Sequence, residues 1–331
     1  MRVQFPQTVF AFSAVTVCVL VYLFYAQNAQ LANGVLSVEK NIFNQSAHPG
    51  DIKSDVHQLS FAPMMISSKR NTSFDYRAEM KELNDVRVPM DDPRLVQIIR
   101  DYYIDPPSLE PYNLENPESL EYSKGQAPFV DSRLNYIEGG FFVEAGALNG
   151  ERGSNTLFFE KVRKWNGLLV EADPESYAIL KSKHRKAFSI NACLSIQNYS
   201  SVVTFNKGFN FGRIYDNKEA MNWVKRIGKN LPVNTIQVQC FPLYSILLAL
   251  GQTNVDFFSL DVEGDELHVL QTIPFDKVNI KMMTVEFAHI IGGGRALMSF
   301  VKSKGYDSLL KVQRLDGGVN DIIFRRKGLS H

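Results

Sequence analysis

Phe141-Phe-Val-Glu-Ala-Gly-Ala-Leu-Asn-Gly150 is a short apolar run that ends at a glycine. It reads as a buried strand followed by a tight turn in which the backbone can approach a ligand closely. Downstream, SNTLFFEKVRKW (154–165) places Leu157, Phe158, Val162 and Trp165 on one helical stripe. GLLVEA (167–172) is a second buried strand, and DPESYAILKSKHRK starts a helix with Asp173 as cap and Pro174 in its first turn. FSINACL (188–194) predicts a third strand, VVTF and TIQVQC two more, and PLYSILLALG a helix ended by Gly251. VDFFSLD (255–261), a helix around ELHVLQ, IKMMTVEF (280–287) and a helix across ALMSFVKSKG extend the alternation. Strands alternating with helices predict an α/β domain with a mostly parallel, doubly wound sheet. YDSLLKV and NDIIFRR have no clear helix between them and predict an antiparallel pair at the end.

Upstream of this domain the character changes. Thr8 to Ala26, TVFAFSAVTVCVLVYLFYA, is nineteen residues without a charge. As a helix it would be about 28 Å long, close to the hydrocarbon thickness of a bilayer. We read residues 1–26 as a cytosolic tip and transmembrane signal anchor; the alternatives are a cleaved signal peptide and a buried core helix. Arg2 and the terminal amine precede the span, while Glu39 and Lys40 cancel after it, which places the bulk of the chain in the lumen. Sequons at Asn44, Asn71 and Asn198 agree with that address. A lumenal address permits a disulfide between Cys193 and Cys240, the two cysteines outside the span; two buried thiols are the alternative. Residues 27–90 lack sustained periodicity and predict a flexible stem. Residues 91–139 form an N-terminal extension in which PRLVQIIRDYY (93–103) is helical, and 140–331 the main domain.

Composition narrows the function classes. The 331 residues carry 36 Lys plus Arg against 35 Asp plus Glu, a formal net charge of +1. No basic field is present to hold a polyanion, so nucleic acid is excluded as the expected partner. Three cysteines cannot build a disulfide scaffold or a four-thiolate zinc site.

Three segments carry chemistry. In VEAGALNG (143–150), Glu144 precedes the Gly146–Gly150 turn and can hold a polar group or an amine. In VEADP (170–174), Glu171 ends the second strand, where a carboxylate suits a ribose diol. Together these read as a nucleoside site, with an unliganded βα turn as the plain alternative. In FSLDVEGDE (258–266), Asp261, Glu263 and Glu266 crowd the carboxyl end of a central strand. That crowding fits a metal site, a general base or a substrate clamp, and helix capping accounts for Asp265 and Glu266. His268 and His289 have no partners at metal-ligand spacing, and no metal is expected.

VDFFSLDVEGDELHVL (255–270) resembles the signature of FkbM-type methyltransferases, DFxKIDVEGxExxVL. EAGALNG resembles that family's D-x-G-A-N-x-G loop, VEADP its acidic second-strand motif and NACLS its third-strand segment. Two positions depart: Ser259 stands where the family has Lys, and Leu148 where it has a loop Asn, with Asn149 following. The resemblance implies a class I S-adenosylmethionine-dependent methyltransferase fold, Rossmann-like, behind the transmembrane helix and stem. It implies Glu144, Gly146, Ala147 and Gly150 at the methionine end of the cofactor and Glu171 at the ribose. Asp173 and Ala192 complete the binding set, and Asp261 with Glu263 is placed beside the methyl acceptor in a catalytic role.

The anchor, the stem, CFPLYSILLALG and SLDVEG together resemble a narrower animal branch, the Star proteins. That resemblance implies a type II membrane protein of the endoplasmic reticulum, Golgi and endosomes, with the plasma membrane as a further location. Its role would be to assist transport of membrane-protein cargo. An active O-methyltransferase on a glycan or lipid-linked hydroxyl is the alternative. A Golgi glycosyltransferase, with Asp261-Val-Glu263 as its acidic motif, is the second alternative.

Overall fold

The computed structural model describes residues 74–207, 212–214, 234–313 and 320–329. The first described element lies inside the expected stem. Tyr76–Val86 is a helix (α1), capped by Asp75, whose carboxylate accepts from the amides of Arg77 and Ala78. Met80 and Leu83 are its buried residues. Residues 76–86 are therefore part of the folded domain, a correction to the stem boundary at 90. Two buried apolar positions one turn apart, among nine neighbours of which six are charged or amide residues, make too weak a period to read from sequence. Helix α2 (Pro93–Ile98) follows, with Asp92 as cap and Pro93 in the first turn, and runs on as a π-helical turn over Ile99–Tyr103.

Short strand β1 (Ile104–Asp105) and helix α3 (Gln126–Arg133) precede the core. Then come β2 (Phe141–Ala145), α4 (Leu157–Arg163), β3 (Asn166–Glu171), α5 (Pro174–Ser182) and β4 (Phe188–Asn191). A smaller sheet intervenes, built from β5 (Cys193–Leu194), β6 (Ser201–Asn206), β7 (Arg213–Ile214) and β8 (Thr235–Phe241). The chain returns through α6 (Leu243–Leu250), β9 (Asn254–Leu260), α7 (Glu266–Thr272), β10 (Asn279–Glu286) and α8 (Gly293–Ser303). The hairpin β11 (Tyr306–Gln313) and β12 (Asn320–Arg326) ends the sheet.

The large sheet has the order β1-β4-β3-β2-β9-β10-β12-β11. Strands β4, β3, β2, β9 and β10 are parallel; β1 and β12 run antiparallel to their neighbours. This is the expected doubly wound, Rossmann-like sheet with its antiparallel terminal pair. Strand parity divides the core. Phe142, Leu169, Phe257, Met282 and Ile323 face one layer with Phe159 and Trp165. Val143, Leu168, Val170, Phe258 and Met283 face the other, with Leu95 and Ile98 of α2.

The single strand expected over 188–194 is broken at Ala192. The Ala192 amide donates to the Glu171 carbonyl, and the Asn191 side chain donates to the carbonyls of Glu171 and Ala172. Cys193 and Leu194 then pair in parallel with Cys240 and Phe241 of β8. Cys193 and Cys240 are register partners and form a disulfide, with Cα atoms 4.3 Å apart. Asn198 is exposed on a bend. Among the described residues no helix is long and apolar enough to cross a membrane. The expected span at 8–26, most of the expected stem, Asn44 and Asn71 lie outside the described residues.

The disulfide closes a separation of 47 residues around the smaller sheet. Cys193→Ser with Cys240→Ser should lower unfolding stability in urea by about 2–4 kcal/mol, the range for a constraint on a long loop of the unfolded chain. Equal stability of the oxidised protein and the double variant would remove the bridge from this account.

Candidate functional site

Strand order reverses between β2 and β9. From β2 the chain winds outward through β3 and β4; it returns to pair β9 with the free side of β2. Loops leaving neighbouring parallel strands in opposite directions open a crevice at their carboxyl ends. A cleft of about 550 Å³ lies there. A wider depression of about 890 Å³ sits elsewhere, between α1 and the smaller sheet. It has none of the converging carboxylates described next, so the chemistry belongs to the cleft.

Gly146 sets the floor. It has φ +83°, and a Cβ there would stand 1.8 Å from the Asp261 carbonyl oxygen. No side chain fits, and the Asp261 amide donates to the Ala145 carbonyl at 3.0 Å, closing the β2–β9 junction. Leu148, also left-handed at φ 49°, lines the cleft and donates its amide to Glu171 Oε2 at 2.7 Å. Glu171 Oε1 accepts from the Asp173 amide at 2.8 Å. Each oxygen keeps lone-pair capacity for a further donor. Burial pushes Glu171 up to about 7, against the backbone amides of Asp173, Leu148 and Ala172 that lower it. Asp173 caps α5 through the Glu175 amide and also borders the cleft, as does the buried Ala192. Cys193, Leu194, Phe205 and Ile214 make this end of the cleft apolar.

Three expected binding residues do not face the cleft. Glu144 is buried beneath it; its carboxylate accepts from Ser154 Oγ, the Asn155 amide and Thr156 Oγ1 at 2.7–2.8 Å. It holds the loop that starts α4. Parity explains this: Glu144 shares the face of Phe142, toward the helix layer. Ala147 is buried and packs in that same layer. Gly150 carries a carbonyl that accepts from Arg185, and a Cβ there would meet Leu180 at 3.0 Å. The departures from the family pattern are accommodated locally. Ser259 accepts from the Asn155 side chain at 2.9 Å, and Asn149 Oδ1 accepts from the amides of Glu151 and Arg152.

The other end of the cleft is acidic. Asp261 and Glu263 both line it, and so do Glu286, His289 and Asp321. Asp261 is exposed at the cleft. Confinement by surrounding protein, then repulsion from Glu263, Glu286, Glu266 and Asp321, raises it well above the ordinary carboxylate range. Because Asp261 opens onto the cleft, the repulsion is the larger cause. Glu263, at φ 61°, turns to His289, with Oε2 2.9 Å from Nδ1 and 3.9 Å from Arg213. His289 is correspondingly raised, chiefly through that contact with Glu263. Burial lifts Glu266 to about 8 and Glu286 to about 7. Glu266 does more than offset the helix dipole, because its carboxylate accepts the amides of Val262 and Gly264 and fixes the turn after β9. Asp265 makes no capping bond and pairs with His268 at 3.2 Å.

Glu286, His289, Arg213 and Asp321 were not singled out as site residues. Glu286 ends β10 as Glu171 ends β3, so the same strand-end rule would have found it. His289 meets Glu263 only through the tertiary fold. A carboxylate of raised pKa facing the cleft can accept a proton near neutrality.

Comparison with known proteins adds to this geometry. No curated protein matches the chain. Among solved structures it is similar to the methyltransferase FkbM of Methylobacillus flagellatus KT, at 14% identity and TM-score 0.36 over 56% of this chain. The chain spans 43% of the length of that protein. It is similar to a 1,6-didemethyltoxoflavin-N1-methyltransferase of Burkholderia thailandensis solved with S-adenosylhomocysteine (10%, TM-score 0.31, 64% of this chain and 81% of that one). A TehB-like SAM-dependent methyltransferase of Corynebacterium glutamicum is similar at 12% and TM-score 0.32, over 61% and 88% of the two chains. Residues 144–308 match the family model for the methyltransferase FkbM domain, and this stretch is a methyltransferase-like domain of that kind.

Proposed function

We propose that the cleft binds S-adenosylmethionine and that the domain transfers its methyl group to a hydroxyl of a glycan or lipid-linked acceptor. The observation that carries this reading is the shared cleft itself. Glu171, with acceptor capacity for a diol, lies at its apolar end, and Asp261 lies at its acidic end. A volume of about 550 Å³ is in the range of small-molecule sites. Glu171 would hold the ribose, the wall of Ala192, Leu194 and Ile214 the adenine, and the Gly146–Leu148 turn the middle of the cofactor. When bound, the sulfonium supplies the electrophilic methyl group. Asp261 faces the acceptor end and takes the hydroxyl proton, and the cleft walls align the two groups.

The setting we propose is a type II membrane protein of the secretory and endosomal pathway, anchored through residues 8–26 with the domain in the lumen. A second reading, a Star-like trafficking factor that assists export of membrane-protein cargo, has two supports. Glu144 is engaged by the fold rather than the cleft, and Ser259 replaces the family's Lys. The glycosyltransferase alternative fits less well: Asp261 and Glu263 do not act as one acidic pair, since Glu263 turns to His289.

Titration calorimetry of the detergent-solubilised chain should show one S-adenosylhomocysteine site. Glu171→Gln should weaken it about tenfold, the order of a lost charge-assisted hydrogen bond. The sign of the pH effect follows from the raised acid. Glu171 must be ionised to accept two hydroxyls, so affinity should fall as pH drops through about 7 in the wild type and stay flat in Glu171→Gln. No binding at any pH excludes the donor reading and leaves the trafficking reading. For the lumenal address, Asn198→Gln should abolish one endoglycosidase-sensitive increment on a gel. An unglycosylated wild-type protein from animal cells would argue against that address.

A further inference from the structure

We propose that Asp261, Glu266 and Glu286 hold a divalent cation at the acidic end of the cleft. Leu260 and Val285 are register partners on parallel strands β9 and β10, so the residues that follow them, Asp261 and Glu286, leave the sheet side by side. Glu266 is brought back to the same point by the turn that its own carboxylate fixes. One carboxylate oxygen from each of the three lies within 4.8 Å of the others.

Acidic clusters form without ions, so the decisive observation is Glu286. The residue is 7% exposed. Its Oε1 accepts from the Ala288 amide, while its buried Oε2 has no hydrogen-bond donor. It lies 3.8 Å from His289 Nδ1, an ion-pair separation beyond hydrogen-bond reach. A buried carboxylate oxygen without a donor is costly, and a cation would supply a ligand bond there. Glu263 is not a ligand; it is held by His289.

Three hard oxygens with no sulfur or imidazole among them select Mg²⁺, Mn²⁺ or Ca²⁺ over zinc. Two ligands are buried and Asp261 is open to the cleft, so a bound cation would be reached from the acidic end of the cleft. There a cation would orient an acceptor oxygen and lower the pKa of its hydroxyl. The cation site rests on the cluster and not on donor binding.

Mn²⁺ is the probe, added to the chelator-treated full chain in detergent without donor, with free Mn²⁺ read by electron paramagnetic resonance. One site per chain is expected, displaced by Ca²⁺. Glu286→Gln and Asp261→Asn should each weaken it tenfold or more. Asp261 is exposed, so its variant should keep the wild-type thermal unfolding midpoint and separates ligand loss from misfolding. Undiminished free Mn²⁺ at millimolar metal, or equal affinity in Asp261→Asn, overturns the proposal. A chain that binds Mn²⁺ and no S-adenosylhomocysteine retains the cation site and loses the donor reading.

Discussion

The contact between Gly146 and the Asp261 backbone is the constraint on which the rest depends. A Cβ at position 146 would lie 1.8 Å from the Asp261 carbonyl oxygen, so β2 and β9 can pair to their ends only with glycine there. That pairing is the topological switch of the sheet. It puts the turn after β2 and the turn after β9 on opposite sides of one crevice, and every cleft residue is positioned relative to that junction. Gly146→Ala would have to displace backbone, not a flexible side-chain tip.

Around the junction, carboxylates take two different roles. Glu144 and Glu266 accept backbone amides and hydroxyls that would otherwise be buried without partners, and each fixes the turn that starts a helix. Glu171 and Asp261 line the cleft from its two ends. The structural pair shapes the walls that carry the cleft pair: Glu144 fixes the loop after β2, and Glu266 fixes the turn that follows Asp261. The acidic end is dense in negative charge, with Arg213 and His289 among the nearby cations. That imbalance raises Asp261 and suits a proton acceptor or a bound cation.

Much of the fold was legible in the sequence because it is governed by local periods. Strand runs ending at Gly146, Glu171 and Asp261, the Asp173–Pro174 helix start, Gly251 as helix stop and the closing hairpin all appear where patterning placed them. The Cys193–Cys240 bridge followed from strand ends that lie side by side. Helix α1 was illegible because only Met80 and Leu83 carry its apolar face. Within the site, Glu171 and Asp261 were readable from position at strand ends. Glu144 points toward the helix layer because strand parity, not its place in the motif, sets its direction. His289 and Arg213 were unreadable because their partners come from distant segments. No property of the sequence alone reports that Glu286 Oε2 lacks a donor.

The β2–β9 crevice is proposed as the adenosyl-donor site. Hydrogen–deuterium exchange of the full chain with and without S-adenosylhomocysteine tests it most directly. Slowed exchange confined to the turn at 146–149, the segment 171–173 and the segment 192–194 is the predicted result. Unchanged exchange in all three at saturating ligand, or protection centred on the depression beside α1, would contradict it.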